Sequence, residues 1–447
     1  ARWDPCPSRP AHTLDGGGPV VTEAEDVRGP FDKSQAGTLE GGWYDCGDHL
    51  KESQTQMYAF MVAAVMAATN ADKDNDHYAY NQGEIANTDG IPDMLREAKH
   101  GADFVLRSFK RAKGVIDDMA LSVGNSASDH NWWEIPEIQD LLPTDSSSAG
   151  ANRGGPAART VRLGEIGSNI GGETAAGLAL VGKLYAPYDK DFADSCLMVA
   201  EKMYDFAKAL AQGKSEYDGG KTFKNNKFAA GWNSPAYTGT IDFFEDMALA
   251  SVALLYATGK KQYADDALRA KDLHKDQAFM DSCAGCFDGG WFMSKDRGLL
   301  KHINTGWAGA HTYALYALYK LILSDKAKAT KEFGLTEAEW LSAIEDCVID
   351  MIANLGYVSE EGTETITLPQ GDIGWTSNSI RYAPPWYTMH NANVWIVNRG
   401  HVGNIFDVLA YADVAADLEK NNIKLPSLGT PNWKAGETRQ LGIHPHN

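Results

Sequence analysis

Apolar residues along this chain recur at helical spacing. Met247, Ala250, Leu254 and Ala257 fall three or four positions apart, as one buried helix stripe requires. Leu197, Ala200, Tyr204 and Ala207 repeat the pattern, and Ile405, Val408, Leu409 and Ala412 give a third stripe. Thr336 and Glu339 have the spacing of a capping box ahead of a helix running toward Asn354, and Gly356 suits its end. Pro92 suits the first turn of a helix near 92–109. Further helices are predicted near 53–68, 172–185, 260–273, 307–323 and 403–420. No convincing run of alternating residues marks a strand. The pattern is that of an all-α chain.

Between these segments lie long stretches rich in Gly, Asn, Ser and Trp, at 110–171, 213–241, 281–306 and 357–402. Long loops in compact domains usually carry function. Helices joined by alternating short and long loops predict hairpins arranged in a ring, with the long loops gathered around a cleft at one end. Residues 144–156 read as a flexible surface excursion. No linker is rich enough in Pro or Ser to mark a second domain.

Composition narrows the function. The chain has 447 residues, a net charge of -19 and 43% hydrophobic residues. So acidic a protein should repel nucleic acid and anionic lipid, and a neutral substrate suits it best. No apolar run approaches the roughly 18 residues that cross a membrane. The chain begins at Ala1, which fits a processed, exported protein, secreted, periplasmic or at the cell surface. Its 12 Trp and 18 Tyr often stand beside Gly, Pro, Asn and Ser, where flat rings can cover the C–H faces of sugars. Core and interface packing accounts for most of them. Of six cysteines, Cys196 and Cys347 lie in apolar helical patterns and read as core thiols. Cys283 and Cys286 have metal-compatible spacing but lack a second ligand pair, which leaves a local disulfide or free thiols.

The densest chemistry is in Gly41-Gly42-Trp43-Tyr44-Asp45-Cys46-Gly47-Asp48-His49. Glycine permits a tight turn that can aim both carboxylates into one cleft. Carboxylates crowded together tune each other's ionisation. The plain alternative is a polar surface turn.

That stretch, through Lys51, resembles the G-G-W-Y-D-A-G-D-H-x-K signature of glycoside hydrolase family 9, with Cys46 in place of Ala. Other segments are similar to that family in the same order. They are the helix Ile91–Asp103, then Val123-Gly124 with Asp129-His130, Trp133 and Pro136-Glu137, and Glu173–Ala179. Tyr204–Ala207, Glu245-Asp246 and Ala257–Gly259 follow. The resemblance implies an (α/α)6 barrel of six helical hairpins over 38–447, with residues 1–37 as an N-terminal extension packed on it. It implies an inverting endo-β-1,4-glucanase (a cellulase), acting as a monomer on β-glucan or cello-oligosaccharide.

By the same resemblance Asp48 is the general base and Asp45 helps hold the attacking water. An inverting site needs its acid on a distant segment, about 6.5–9.5 Å from the base, so that water fits between base and sugar. The family places that acid as Glu in an N-E-x-x-x-x-x-N frame. Here Asn391 and Asn398 match, and the acid position is Ala392. A methyl group cannot protonate a leaving oxygen. Either the chain is an acid-knockout form, or Glu360, Glu361 or Glu364 supplies the acid, or the protein is a non-catalytic β-glucan binder. Substrate contacts are expected at Trp43, His130, Trp133, Trp232, Tyr237, Trp375, Arg381, Trp386, Tyr387 and His390. His401 reads as structural. No cofactor is required. A structural calcium is expected on Thr238, Gly239, Asp242, Glu245 and Asp246, hard oxygens of the kind calcium needs, though a helix N-terminus also collects acids. A polysaccharide lyase on a similar barrel fits poorly, because uronates need basic residues.

Overall fold

Helices form where the spacing predicts them, and their ends shift where glycine or tertiary packing overrides local pattern. A computed structural model describes residues 13–21, 30–45, 49–69, 76, 78–79, 84–85, 89–124, 159–164, 166–223, 243–273, 289–292, 309–331, 333–355, 367–368, 371–372, 380–383, 387–390 and 397–426. The chain divides into two compact units, Ala1–Phe243 and Phe244–Asn447.

In the first unit α1 (Ser53–Thr69), α2 (Asp93–Arg111), α3 (Ser168–Tyr185) and α4 (Lys190–Ala211) pack side by side. α3 is the central helix, in contact with α1, α2 and α4, and is buried from Ser168 through Gly182. It begins four residues before the predicted 172. Glycine is unfavourable in a helix interior, so Gly171 and Gly172 give no local helix signal there. In the fold, a Cβ on Gly171 would stand 2.8 Å from the Ala207 Cβ, so glycine there admits close approach of α4. α2 is amphipathic: Leu95, Ala98, Ala102 and Val105 are buried, and Lys99 pairs with Asp103 on a more open face. On α4, Ala200, Tyr204 and Ala207 are buried as predicted, and Leu197 is half-buried.

The region 110–171, expected as loop, also holds strands. β4 (Ala120–Val123) pairs antiparallel with β5 (Val161–Leu163), which pairs parallel with β1 (Val20–Val21). Strands of two to four residues are too short for alternation to register in the sequence. Two-residue hairpins lie at β2 (Tyr78–Ala79) with β3 (Glu84–Ile85), and at β6 (Glu216–Tyr217) with β7 (Lys221–Thr222).

In the second unit α5 (Phe244–Thr258) packs on α6 (Lys261–Leu268) and α7 (His311–Leu318). α5 is buried on every side from Phe244 to Leu255, more than the single stripe predicted, and Ala257 is half-buried. α6 stops at Leu268, short of 273. α7 runs into a π-helical turn at Tyr319–Leu323, then α8 (Lys326–Lys331), which the periodicity missed. The capping box forms as predicted before α9 (Glu337–Leu355). The Thr336 N–H donates to Glu339 Oε2 at 2.7 Å, and the Glu339 N–H to Thr336 Oγ1 at 3.2 Å. Short hairpins also join β8 (Thr367–Leu368) to β9 (Gly371–Asp372) and β10 (Ile380–Ala383) to β11 (Tyr387–His390), inside a stretch expected as loop.

The last helix, α10 (Val397–Lys420), begins six residues before 403. Of the predicted stripe, Leu409 is 60% exposed and Ala412 is half-buried, while Ile405 and Val408 lie outside the described side chains; among the described ones Asp407, Ala410, Tyr411, Val414, Ala415 and Leu418 are buried. Both sets have helical spacing. The predicted one, continued, meets Ala416 and Glu419, while the observed one ends on Leu418 and carries the larger apolar side chains. Cys196 and Cys347 are buried free thiols, as expected, and burial pushes the Cys196 thiol well up. Among the described residues no helix is long and apolar enough to cross a membrane.

Leu418→Ala should cost about 2–5 kcal/mol in urea unfolding of the chain. Leu409→Ala should stay within about 0.5 kcal/mol. The reverse ranking would restore the stripe read from the sequence.

Candidate functional site

The candidate site starts at Gly41, in the first unit. Its φ of +95° lies in the left-handed region, and a Cβ there would stand 2.8 Å from the His100 carbonyl oxygen and 2.9 Å from the Phe104 nitrogen. Glycine therefore lets the chain cross α2 in contact with its backbone. The Gly42 N–H donates to the His100 carbonyl at 3.0 Å. Trp43 follows, held at two points. Its backbone N–H donates to Gln56 Oε1 of α1 at 2.9 Å, and its indole N–H to Glu97 Oε1 of α2 at 2.7 Å. The ring meets His100 edge-on at 5.7 Å. Tyr44 is buried, 5.2 Å from the His49 ring, with the Arg159 guanidinium 5.3 Å from its ring centre.

Asp45 is half-buried, and its N–H donates to the Leu50 carbonyl at 2.7 Å. This bond brings Asp45 and Leu50 together. Asp48, between them in sequence, lies outside the described residues.

A buried ionic cluster holds the base of the loop. Lys51, at 0% exposure, places its ammonium 2.6 Å from Asp15 Oδ2 and donates to the carbonyls of Leu39 at 3.0 Å and Gly41 at 2.7 Å. All three ammonium protons thus have acceptors. Arg159 donates through Nε to Asp15 Oδ1 at 2.7 Å and through Nη1 to the His49 carbonyl at 2.8 Å. Burial pushes the Lys51 ammonium down to about 8, against the pull of Asp15; the Arg159 and Arg107 charges push the same way as burial. Lys51 also bridges to Val123: each N–H donates to the other's carbonyl, at 2.8 and 3.0 Å. The two motif segments Gly41–Lys51 and Val123-Gly124 are therefore neighbours, 72 residues apart in sequence from Lys51 to Val123.

Other expected site residues are placed less fully. Arg381 stands opposite Met389, Ala383 opposite Tyr387 and Ile380 opposite His390 in the β10–β11 hairpin. Hence Arg381, Tyr387 and His390 share one small ribbon. Glu245 and Asp246 are buried in the first turn of α5, where the helix dipole favours carboxylates. His130, Trp133, Trp232, Tyr237, Thr238, Gly239, Asp242, Trp375, Trp386 and Ala392 lie outside the described residues. So do Glu360, Glu361, Glu364, Cys283 and Cys286. Among the described residues no group of three His, Cys, Asp or Glu side chains is disposed to hold a metal. Four residues that shape the loop were missed from the sequence: Asp15, Gln56, Glu97 and Arg159. Only their partners across the fold distinguish them from ordinary polar residues.

Comparison with known proteins agrees with the motif set. The family model for glycosyl hydrolase family 9 matches residues 5–428, and the chain belongs to that family. Its fold class is accordingly the (α/α)6 barrel expected from the sequence. Endoglucanase 4 of Bacillus sp. (strain KSM-522) is 26% identical over 232 residues, which cover 52% of this chain and 30% of that relative. Endoglucanase 14 of Oryza sativa subsp. japonica is 31% identical over 170 residues, covering 38% and 27%. The chain matches under a third of the length of these curated relatives. The solved structure of AaCel9A in complex with cellobiose-like isofagomine superposes with a TM-score of 0.50 at 15% identity, over 91% of this chain and 57% of the other. That likeness bears on fold alone.

Gly41→Ala should cost more than about 1 kcal/mol in denaturant unfolding, because alanine meets both an unfavourable φ and the backbone of α2. A neutral result would mean that the loop crosses α2 with room to spare.

Proposed function

We propose that this chain hydrolyses internal β-1,4-glucosidic bonds of cellulose or a related β-glucan with inversion, outside the cell. Asp48 takes a proton from water and Asp45 helps hold that water. The observation that carries this reading lies in the described part of Gly41–Lys51: the Asp45 N–H is bonded to the Leu50 carbonyl, Trp43 is fastened to α1 and α2, and Gly41, His49 and Lys51 are held by a buried ionic cluster. Family membership and the endoglucanase relatives support the substrate class. The -19 charge suits a neutral glucan.

Inversion needs a base on one face of the sugar and an acid on the other. Ala392 stands where the family frame puts the acid. The base half can then act alone only on substrates whose leaving group needs no proton. A dinitrophenol leaves as a stable anion, whereas a sugar hydroxyl must be protonated as it departs. Dinitrophenyl β-cellobioside should therefore be turned over far faster than cello-oligosaccharides. The product of an inverting reaction on this substrate is the α-anomer, which NMR detects before mutarotation.

Ala392→Glu should raise release of reducing ends from carboxymethylcellulose by about 100-fold, the typical worth of a positioned general acid. Asp48→Ala should abolish turnover of both substrates. Full activity of the unaltered chain on cellulose would move the acid to Glu360, Glu361 or Glu364. The Ala392 position also favours a second reading, a non-catalytic β-glucan binder. That reading predicts saturable cello-oligosaccharide binding with no turnover of the activated substrate.

A structural calcium at the start of α5 belongs to the same proposal. Two of its five expected donors, Glu245 and Asp246, are buried side by side in one helical turn. If calcium binds there, EDTA should lower Tm by a few degrees and added calcium should restore it. An unchanged Tm would remove the ion from the reading.

A further inference from the structure

We propose that Asp15, Lys51 and Arg159 are positioning residues that fix both ends of the Gly41–Lys51 loop and so hold its carboxylates in register for attack by water. The proposal rests on reading Asp45 and Asp48 as the water-handling pair. The geometry is that of a clamp. Lys51 stands at one end of the loop and donates to the carbonyl of Gly41 at the other, at 2.7 Å. Arg159 holds His49, the residue after Asp48, by its carbonyl at 2.8 Å. Asp15 ties the two cations together, 2.6 Å from Lys51 Nζ and 2.7 Å from Arg159 Nε. Two side chains therefore grip the loop on both sides of its carboxylates, and one buried anion sets where they stand. Displacement of reacting groups by about 1 Å can cost 100-fold in rate, so such a grip bears on kcat more than on substrate affinity.

Lys51 also makes the clamp sensitive to alkali. The charged groups around it are Asp15, Arg159 and, from α2, Arg107, which pairs with Glu40 at 3.3 Å; the Phe104 ring lies 5.1 Å away. Its ammonium is pushed down to about 8, so it loses its proton just above neutrality. A neutral amine has two N–H donors for three acceptors, and one of the three bonds at the loop base is lost. The sign for global stability is opposite. The folded protein gives up this proton before the unfolded chain does, so between about pH 8 and the ordinary lysine range this group's contribution to stability rises. The loop loosens while the fold stays intact.

Hydrogen exchange reads the clamp without turnover. In Lys51→Met the Asp15–Arg159 pair survives, and the peptide over 41–51 should exchange at least about tenfold faster at pH 7, with peptides of α3 unchanged. In the unaltered chain the same loosening should set in reversibly between pH 7 and 9, after correction for the intrinsic rate. This second arm stands even if the variant fails to fold. On dinitrophenyl β-cellobioside, Lys51→Met should lose about tenfold or more in kcat with KM within about twofold. Unchanged exchange of 41–51 in the alkaline arm overturns the clamp. Equal loosening of α3 overturns it too, because Lys51 would then support the whole unit. Faster loop exchange with unchanged kcat overturns the positioning role. Failure of the catalytic reading itself shows separately, as turnover that survives Asp48→Ala.

Discussion

Three charges buried out of water shape the first unit. Removing a single ion from water costs several kcal/mol even after relaxation, so Asp15, Lys51 and Arg159 are tolerable only together. Their hydrogen bonds show how the cost is met. Each carboxylate oxygen of Asp15 faces a cation, and the Lys51 ammonium is saturated by one carboxylate and two carbonyls. Burial is the main reason Lys51 sits below ordinary lysines; Asp15 pulls it back up, and the Arg159 and Arg107 charges push it down. Removing one partner of such a group typically costs about 3–5 kcal/mol, because the others stay buried and uncompensated.

The helices divide into two kinds, and the division explains what stands near the motif. α3 and α5 are enclosed almost wholly; small residues dominate α3 and allow neighbours to close in, whereas α5 mixes Ala with Phe, Met, Leu and Val. α2 and α4 are amphipathic and lie further out. α1 starts two residues after Lys51 and is buried from its first residue, including Ser53, Gln54 and Gln56. Polar side chains buried at a helix start must be satisfied locally. Gln56 shows the use made of this: it accepts the Trp43 N–H and so fastens the motif to the helix that follows it.

Much of this is legible in the amino-acid sequence. Periodicity located most helices because burial of one face leaves a trace every three or four residues. The capping box at Thr336 and Glu339 was readable because both halves lie within one turn. Family membership was readable from Gly41–Lys51, whose residues are contiguous. What escaped were the features decided at a distance. The register of α10 escaped because two stripes two residues apart both carry helical spacing, and only the partner surface chooses between them. The true start of α3 escaped because the close approach that calls for Gly171 is to Ala207, 36 positions on. Asp15 and Arg159 escaped altogether, since nothing local says that 144 residues of chain fold back to join them.

That separation has a consequence for how the chain acquires its site. A loop of eleven residues would ordinarily be among the earliest pieces to order, since short closures are fast. Here its ends are held by groups that meet only after α1, α2 and the strand at 161–163 have docked. Contacts of such long range form late and slow the search for the native state. The signature that makes the family recognisable is thus expected to be among the later parts of the first unit to take shape. Until then its two carboxylates hang on a chain with no fixed geometry, so a nascent or partly folded molecule carries the residues of the site without the site.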